Sequence, residues 1–148
     1  MREEGPIHFD YAVQRLASAW EVRRLGPKIV DSVKEALDML VNDHRLTVKG
    51  EFLWPNDLVN APVRVPVPEF SESLRPPEYI PPEEIESAMQ MIAHYAISIS
   101  AESLIAETAK VFGFAHLGEK TREIFTEIFN LMLRERKIVS IDGTVKIP

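Results

Sequence analysis

The sequence predicts an α+β chain, mainly α with small β-hairpins, made of two copies of one small lobe joined by a proline-rich linker. Three observations carry this. Eight of the eleven prolines (Pro55, Pro62, Pro66, Pro68, Pro76, Pro77, Pro81 and Pro82) fall in one stretch. The segments on either side share an apolar pattern at an offset of 92 residues, set by laying Leu25-Gly26 over Leu117-Gly118. Each flank also runs through the same order of helical and alternating periods. A length of 148 residues has room for one ordinary domain or two very small ones.

In the first copy a short apolar strand around Ile7 precedes a helix marked by Phe9, Val13, Leu16, Ala17 and Trp20. A tight loop ends in Leu25-Gly26. Gly26 and Pro27 suit an N-cap and a first helical position, because the missing proline amide is no loss there. The helix that follows carries Val30, Val33, Leu37, Leu40 and Val41, a stripe wide enough to face a core. Arg45 then leads into a hairpin pairing Leu46-Thr47-Val48 with Phe52-Leu53-Trp54 across Lys49-Gly50-Glu51.

The middle stretch cannot be helix or central strand, since proline donates no amide hydrogen and fixes φ. Residues 61–68 alternate valine and proline and run extended as a semi-rigid spacer, whose valines and Phe70 are candidates to pack along a lobe.

The second copy opens with an extra helix. Pro81 and Pro82 start it, Glu83, Glu84 and Glu86 favour the positive end of its dipole, and Ile85, Met89 and Ile92 form its stripe. A strand at Ile97 and Ile99 follows. Ser100 caps a helix bearing Leu104, Ile105, Thr108, Ala109 and Phe112. After Leu117-Gly118 comes a long helix with Ile124, Phe125, Ile128, Phe129, Met132 and Leu133. Its hairpin turns at Asp142-Gly143, with one inserted residue aligning Gly143 with Gly50.

Helix, short strand, helix, tight loop, helix and two-stranded hairpin is the order of a winged helix-turn-helix. The expected architecture is therefore tandem winged helix-turn-helix lobes: residues 1–55, a linker at 56–80, and residues 81–148. Copy one lacks room for its own first helix, which predicts that an equivalent segment precedes position 1 in a longer parent. Without that helix the back of Trp20, Val33 and Leu37 lies bare.

Charge and composition exclude several function classes. Seventeen basic against 23 acidic side chains leave a net charge of −6, so contact with nucleic acid must come from a local patch. There is no cysteine, which removes thiolate metal sites and cysteine nucleophiles and fits a reducing, cytoplasmic setting. No signal peptide and no apolar run of about 20 residues is present, so no membrane partner is expected.

Gly113 to Thr121 imitates a phosphate loop, but Glu119 breaks the spacing and adds a repelling charge. His8, His44, His94 and His116 lack metal-ligand spacing, carboxylates such as Glu123 and Glu127 lie beside basic residues on solvated faces, and no G-x-S-x-G elbow occurs. No catalytic residue, cofactor or metal is expected. The chain reads as a non-catalytic module.

The nucleic-acid reading rests on the start of each long helix, which in a winged helix enters the major groove. Copy one offers Arg23, Arg24 and Lys28, with Lys49 at the hairpin. Copy two offers His116, Lys120 and Arg122. Glu21, Asp31, Glu119 and Glu123 dilute both patches.

Gly5-Pro6-Ile7-His8, Arg15-Leu16-Ala17, Ala19-Trp20, Arg24, Gly26, Lys28-Ile29, Gly50-Glu51-Phe52-Leu53-Trp54-Pro55, Pro62-Val63-Arg64-Val65-Pro66 and Ile80-Pro81-Pro82-Glu83-Glu84-Ile85 together carry a resemblance. They resemble the domain of unknown function at the C-terminus of large bacterial superfamily-1-type DNA helicase-related proteins. Glu21 stands where that family tends to have glycine, and Leu25 replaces a small residue. The resemblance implies an accessory module of a nucleic-acid motor and carries no catalytic residues with it. The implied partners are DNA and the upstream helicase and nuclease-like domains of the parent chain. The rival reading is a protein-interaction or dimerisation scaffold docking the motor or nuclease domains, a homodimer included.

Overall fold

A computed structural model of the protein describes residues 5–148. Chain contacts divide it into two compact units, one ending at Ala61 and the other running from Pro62 to Pro148. Among the described residues, no helix is long and apolar enough to cross a membrane.

Unit one begins with β1 (Ile7–His8), which passes directly into α1 (Phe9–Ala19). The His8 ring accepts the Asp10 amide at 3.2 Å, occupying one of the donors a helix start leaves unpaired. Then come α2 (Pro27–Asn42), β2 (Leu46–Lys49) and β3 (Phe52–Pro55). Gly26 is the N-cap of α2 and Pro27 opens it, as the sequence predicts. The strands form an antiparallel sheet in the order β1-β3-β2, with Ile7 opposite Leu53 and Val48 opposite Leu53 on its other edge. Ile7, Ala12, Val13, Val33, Leu37, Leu46 and Leu53 make the buried cluster.

Unit two starts in the proline-rich stretch. Residues 62–80 contain two single 3₁₀ turns (Ser71–Ser73 and Pro77–Tyr79), followed by α3 (Pro82–Tyr95), α4 (Ala101–Val111) and α5 (Glu119–Arg134). A two-stranded hairpin of β4 (Val139–Ile141) and β5 (Thr144–Lys146) closes it. Ile85, Met89, Leu104, Phe112, Phe125, Ile128 and Met132 belong to one large buried cluster. Phe125 meets Phe112 and Phe114 edge-on, the arrangement ring quadrupoles favour.

The repeat holds residue by residue. Adding 92 to the bounds of α1 and α2 gives those of α4 and α5. The left-handed backbone positions also match: Glu21 with Gly113, His44 with Arg136 and Gly50 with Asp142. So do the bonds closing each helix. Val22 N–H to Ala17 and Phe114 N–H to Ala109 are both 3.0 Å; Arg45 N–H to Leu40 and Lys137 N–H to Met132 are both 2.9 Å.

Four expectations are corrected. The inserted residue does not exist, because Lys49 pairs with Phe52 and Ile141 with Thr144, so both hairpins close on two-residue turns in the same register. Asp142, not Gly143, is the counterpart of Gly50, and aspartate tolerates the left-handed region better than most residues. Residues 97–99 form no strand; the Val145 amide donates to the Ile99 carbonyl at 2.8 Å, and Ile97 stands in solvent. Trp20 is exposed, as expected, but Val33 and Leu37 do not lie bare with it: they are buried against Ile7, Val13, Leu46 and Leu53. Leu16 is exposed, and of the linker's apolar side chains Val63 joins the unit-two core while Val65, Val67 and Phe70 are exposed.

Candidate functional site

Arg23 and Arg24 sit in the bend between α1 and α2, and Lys28 is the second residue of α2; all three are exposed. None makes an ion pair among the described residues. They gather at the end of α2 where the helix dipole is positive, beside the apolar cap Gly26-Pro27. The same helix also presents Asp31, Glu35 and Asp38 to solvent, so the cationic patch is confined to its first turn and the bend before it. Lys49 ends β2, with its ammonium 3.9 Å above the centre of the Trp54 ring, a cation–π contact that holds it at the hairpin.

In unit two the equivalent positions are differently employed. His116 is exposed in the α4–α5 connection and Arg122 is exposed in the first turn of α5. Lys120, however, donates to the Glu78 carboxylate at 2.6 Å. The loop that imitates a phosphate cradle is thus a helix start capped by Gly118, with its lysine turned to an acid of the same unit.

The strongest electrostatic feature lies elsewhere, and the sequence reading missed it. Glu84, in the first turn of α3, is completely buried. Arg75 donates to its two oxygens at 2.9 and 2.7 Å, and Arg64 at 2.6 Å through the guanidinium and 2.8 Å through its backbone amide. Arg75 also donates to the Arg64 carbonyl at 3.1 Å, tying the two arms of the extended stretch together. Burial pushes the Glu84 carboxyl up, but the hydrogen bonds and charges of Arg75 and Arg64 outweigh it and hold its pKa below the usual carboxylate range. With its acceptor sites filled, this carboxylate is a staple and has no geometry for proton transfer to a substrate. One signal in the sequence pointed to it: Arg64 and Arg75 are the only basic residues between positions 52 and 82.

A second ion pair joins Lys137 to Glu86 of α3 at 2.6 Å and to Glu135 at 2.7 Å. Hydrogen bonds to Glu135 and Glu86 hold the Lys137 ammonium above the usual lysine range. In unit one, a cleft of about 290 Å³ lies between the start of α1, the middle of α2 and the β2–β3 turn, lined among others by His8, Lys34, Asp38, Val41 and Leu53. Among the described residues, no group of three or more His, Asp or Glu side chains is placed to hold a metal ion.

Comparison with known proteins adds one finding. Residues 1–31, reaching from the start of the chain through α1 and into the first turns of α2, match a family described as a protein of unknown function (DUF3320). No curated protein matches the chain, and no solved structure does.

Proposed function

We propose that this chain is a non-catalytic accessory module of a DNA helicase-like protein, and that its helix–helix–hairpin units are winged helix-turn-helix lobes of which the first grips nucleic acid. The observation that carries this reading is the cluster of exposed cations at the start of α2. Arg23, Arg24 and Lys28 are uncommitted to any acid among the described residues, while Lys120, the unit-two counterpart of Lys28, is held by Glu78. The helicase-like context rests on the resemblance of the sequence motifs.

Three cations neutralising three phosphates on duplex DNA correspond to a slope of log affinity against log salt of about −2.7. Titration of labelled duplex and single-stranded DNA at low salt tests the reading. The double variant Arg23→Glu, Lys28→Glu weakens binding at least tenfold and flattens the salt slope. Equal binding by the wild type and this variant overturns the assignment of the patch.

A further inference from the structure

We propose that the α1–α2 face of unit one, formed by Leu16, Trp20, Ala36 and Leu40 and bounded by Arg45, docks one amphipathic helix with the chemistry of α3, supplied from outside residues 5–148. That helix carries aliphatic side chains at i, i+4 and i+7 and a carboxylate at i+1. This docking goes beyond nucleic-acid binding and does not depend on it.

The residue-by-residue repeat shows what covers this face in the other unit. There α3 packs against α4 and α5, with Ile85 and Met89 in the same buried cluster as Phe112, Ile128 and Met132. Exposure is 0% at Thr108, 1% at Phe112, 7% at Ile128 and 0% at Met132. Their counterparts in unit one are Leu16, exposed to 37%, Trp20 to 62%, Ala36, which is exposed, and Leu40, which is half-buried. Leu16 and Trp20 are four residues apart, as are Ala36 and Leu40, so each pair lies along one side of its helix region. A tryptophan left largely in water is the residue type that anchors the centre of an interface.

Charge fits the same occupant. In unit two Lys137 reaches across to Glu86, the residue after Ile85 on α3. Arg45 holds the equivalent position, exposed and without an ion pair among the described residues. The arriving helix therefore needs a carboxylate one residue after its first aliphatic anchor, the order seen in Ile85-Glu86.

The occupant is a helix and not an extended strap. At Gly113 a β-carbon would lie 2.8 Å from the Leu74 side chain and 3.0 Å from the Pro66 ring, so the strap of unit two rests closely on a position that carries no side chain. Glu21 occupies that position in unit one, so an equally close approach there would have to give way to its side chain. Nor does the α3 of a second copy serve, because Ile85 and Met89 are fully buried in their own unit and would have to be withdrawn from it.

A synthetic peptide of residues 80–96, the α3 sequence, is the probe, titrated into the full chain with tryptophan emission and calorimetry as readouts. Saturable binding with a blue shift from Trp20 is expected. Leu16→Glu, at a half-exposed site where folding is verified by circular dichroism, weakens it at least tenfold. A peptide with Glu86→Gln binds about threefold more weakly to the wild type and no more weakly to the Arg45→Ala variant. Absence of saturable binding, or binding indifferent to Leu16→Glu, overturns the proposal. Self-association of the chain that Leu16→Glu abolishes assigns the face to a second copy and overturns it too. DNA affinity unchanged by the peptide and by Leu16→Glu keeps the two readings separate.

Discussion

Replacing Glu84 with glutamine removes one charge from a site that water does not reach. The carboxylate is fully buried and takes four hydrogen bonds of 2.6 to 2.9 Å from Arg64 and Arg75. Glutamine keeps one acceptor oxygen and turns an amide group toward two guanidiniums. Breaking a buried pair by removing one partner costs about 3–5 kcal/mol, since the remaining charge is left without compensation. Arg75's side chain is 8% exposed and Arg64's 24%, so water partly relieves Arg64 and the lower end, about 3 kcal/mol, applies. For a unit of 87 residues (62–148) that corresponds to a fall in Tm of at least about 12 °C. Both tryptophans, Trp20 and Trp54, lie in unit one, so their emission reports on that unit. Circular dichroism follows the helices of both. Glu84→Gln shifts the unit-two part of the dichroism transition. Glu107→Gln, which breaks the exposed pair with Lys110 at 2.7 Å, changes stability by no more than about 0.5 kcal/mol. Equal Tm values for the two variants would refute the argument that the staple is a desolvated charge cluster.

Further expectations concern pH and backbone. Because the folded pKa of Glu84 is depressed, its contribution is complete above the unfolded carboxylate value of about 4.3 and is lost as pH falls through the folded value; acid titration of Tm shows this limb in the wild type and lacks it in Glu84→Gln. Lys137 has the opposite sign: its raised pKa gives a contribution present below about 10.4 and lost as pH rises through the folded value, which Lys137→Met removes from the alkaline limb of the same titration. Gly113→Ala combines a φ of +89° with a 2.8 Å approach to Leu74 and lowers stability by about 2 kcal/mol in urea melts, whereas Glu21→Gly at the matching position relieves a side chain held at φ 54° and raises stability by up to about 1 kcal/mol. Gly143→Ala forces a β-carbon onto a turn residue at φ +77° and loosens the β4–β5 hairpin, read as faster amide exchange at Val145.

Local order was legible because its causes are local. Gly26-Pro27 marks a helix start by proline's missing amide, Ser100 caps α4 through its own hydroxyl, and Asp142-Gly143 closes a hairpin through left-handed backbone. The 92-residue repeat was legible for the same reason, since equal cores demand equal apolar spacing. Its last segment misled because a glycine was matched to a glycine, although the left-handed turn position accepts aspartate as well.

The chain's own sequence thus determined the elements, their order and their duplication. Tertiary structure decided which apolar stripes are covered. Trp20 stands in water, as expected, where Phe112 lies under a third helix. Val33 and Leu37, expected to lie bare with Trp20, are instead buried against Ile7, Val13, Leu46 and Leu53, and periodicity does not record which neighbours are present. It also decided that the prolines belong to a fold. Arg64 and Arg75, eleven residues apart, meet on Glu84 only because the extended chain bends back over α3, and a charge pairing across such a bend leaves no periodic mark in the sequence.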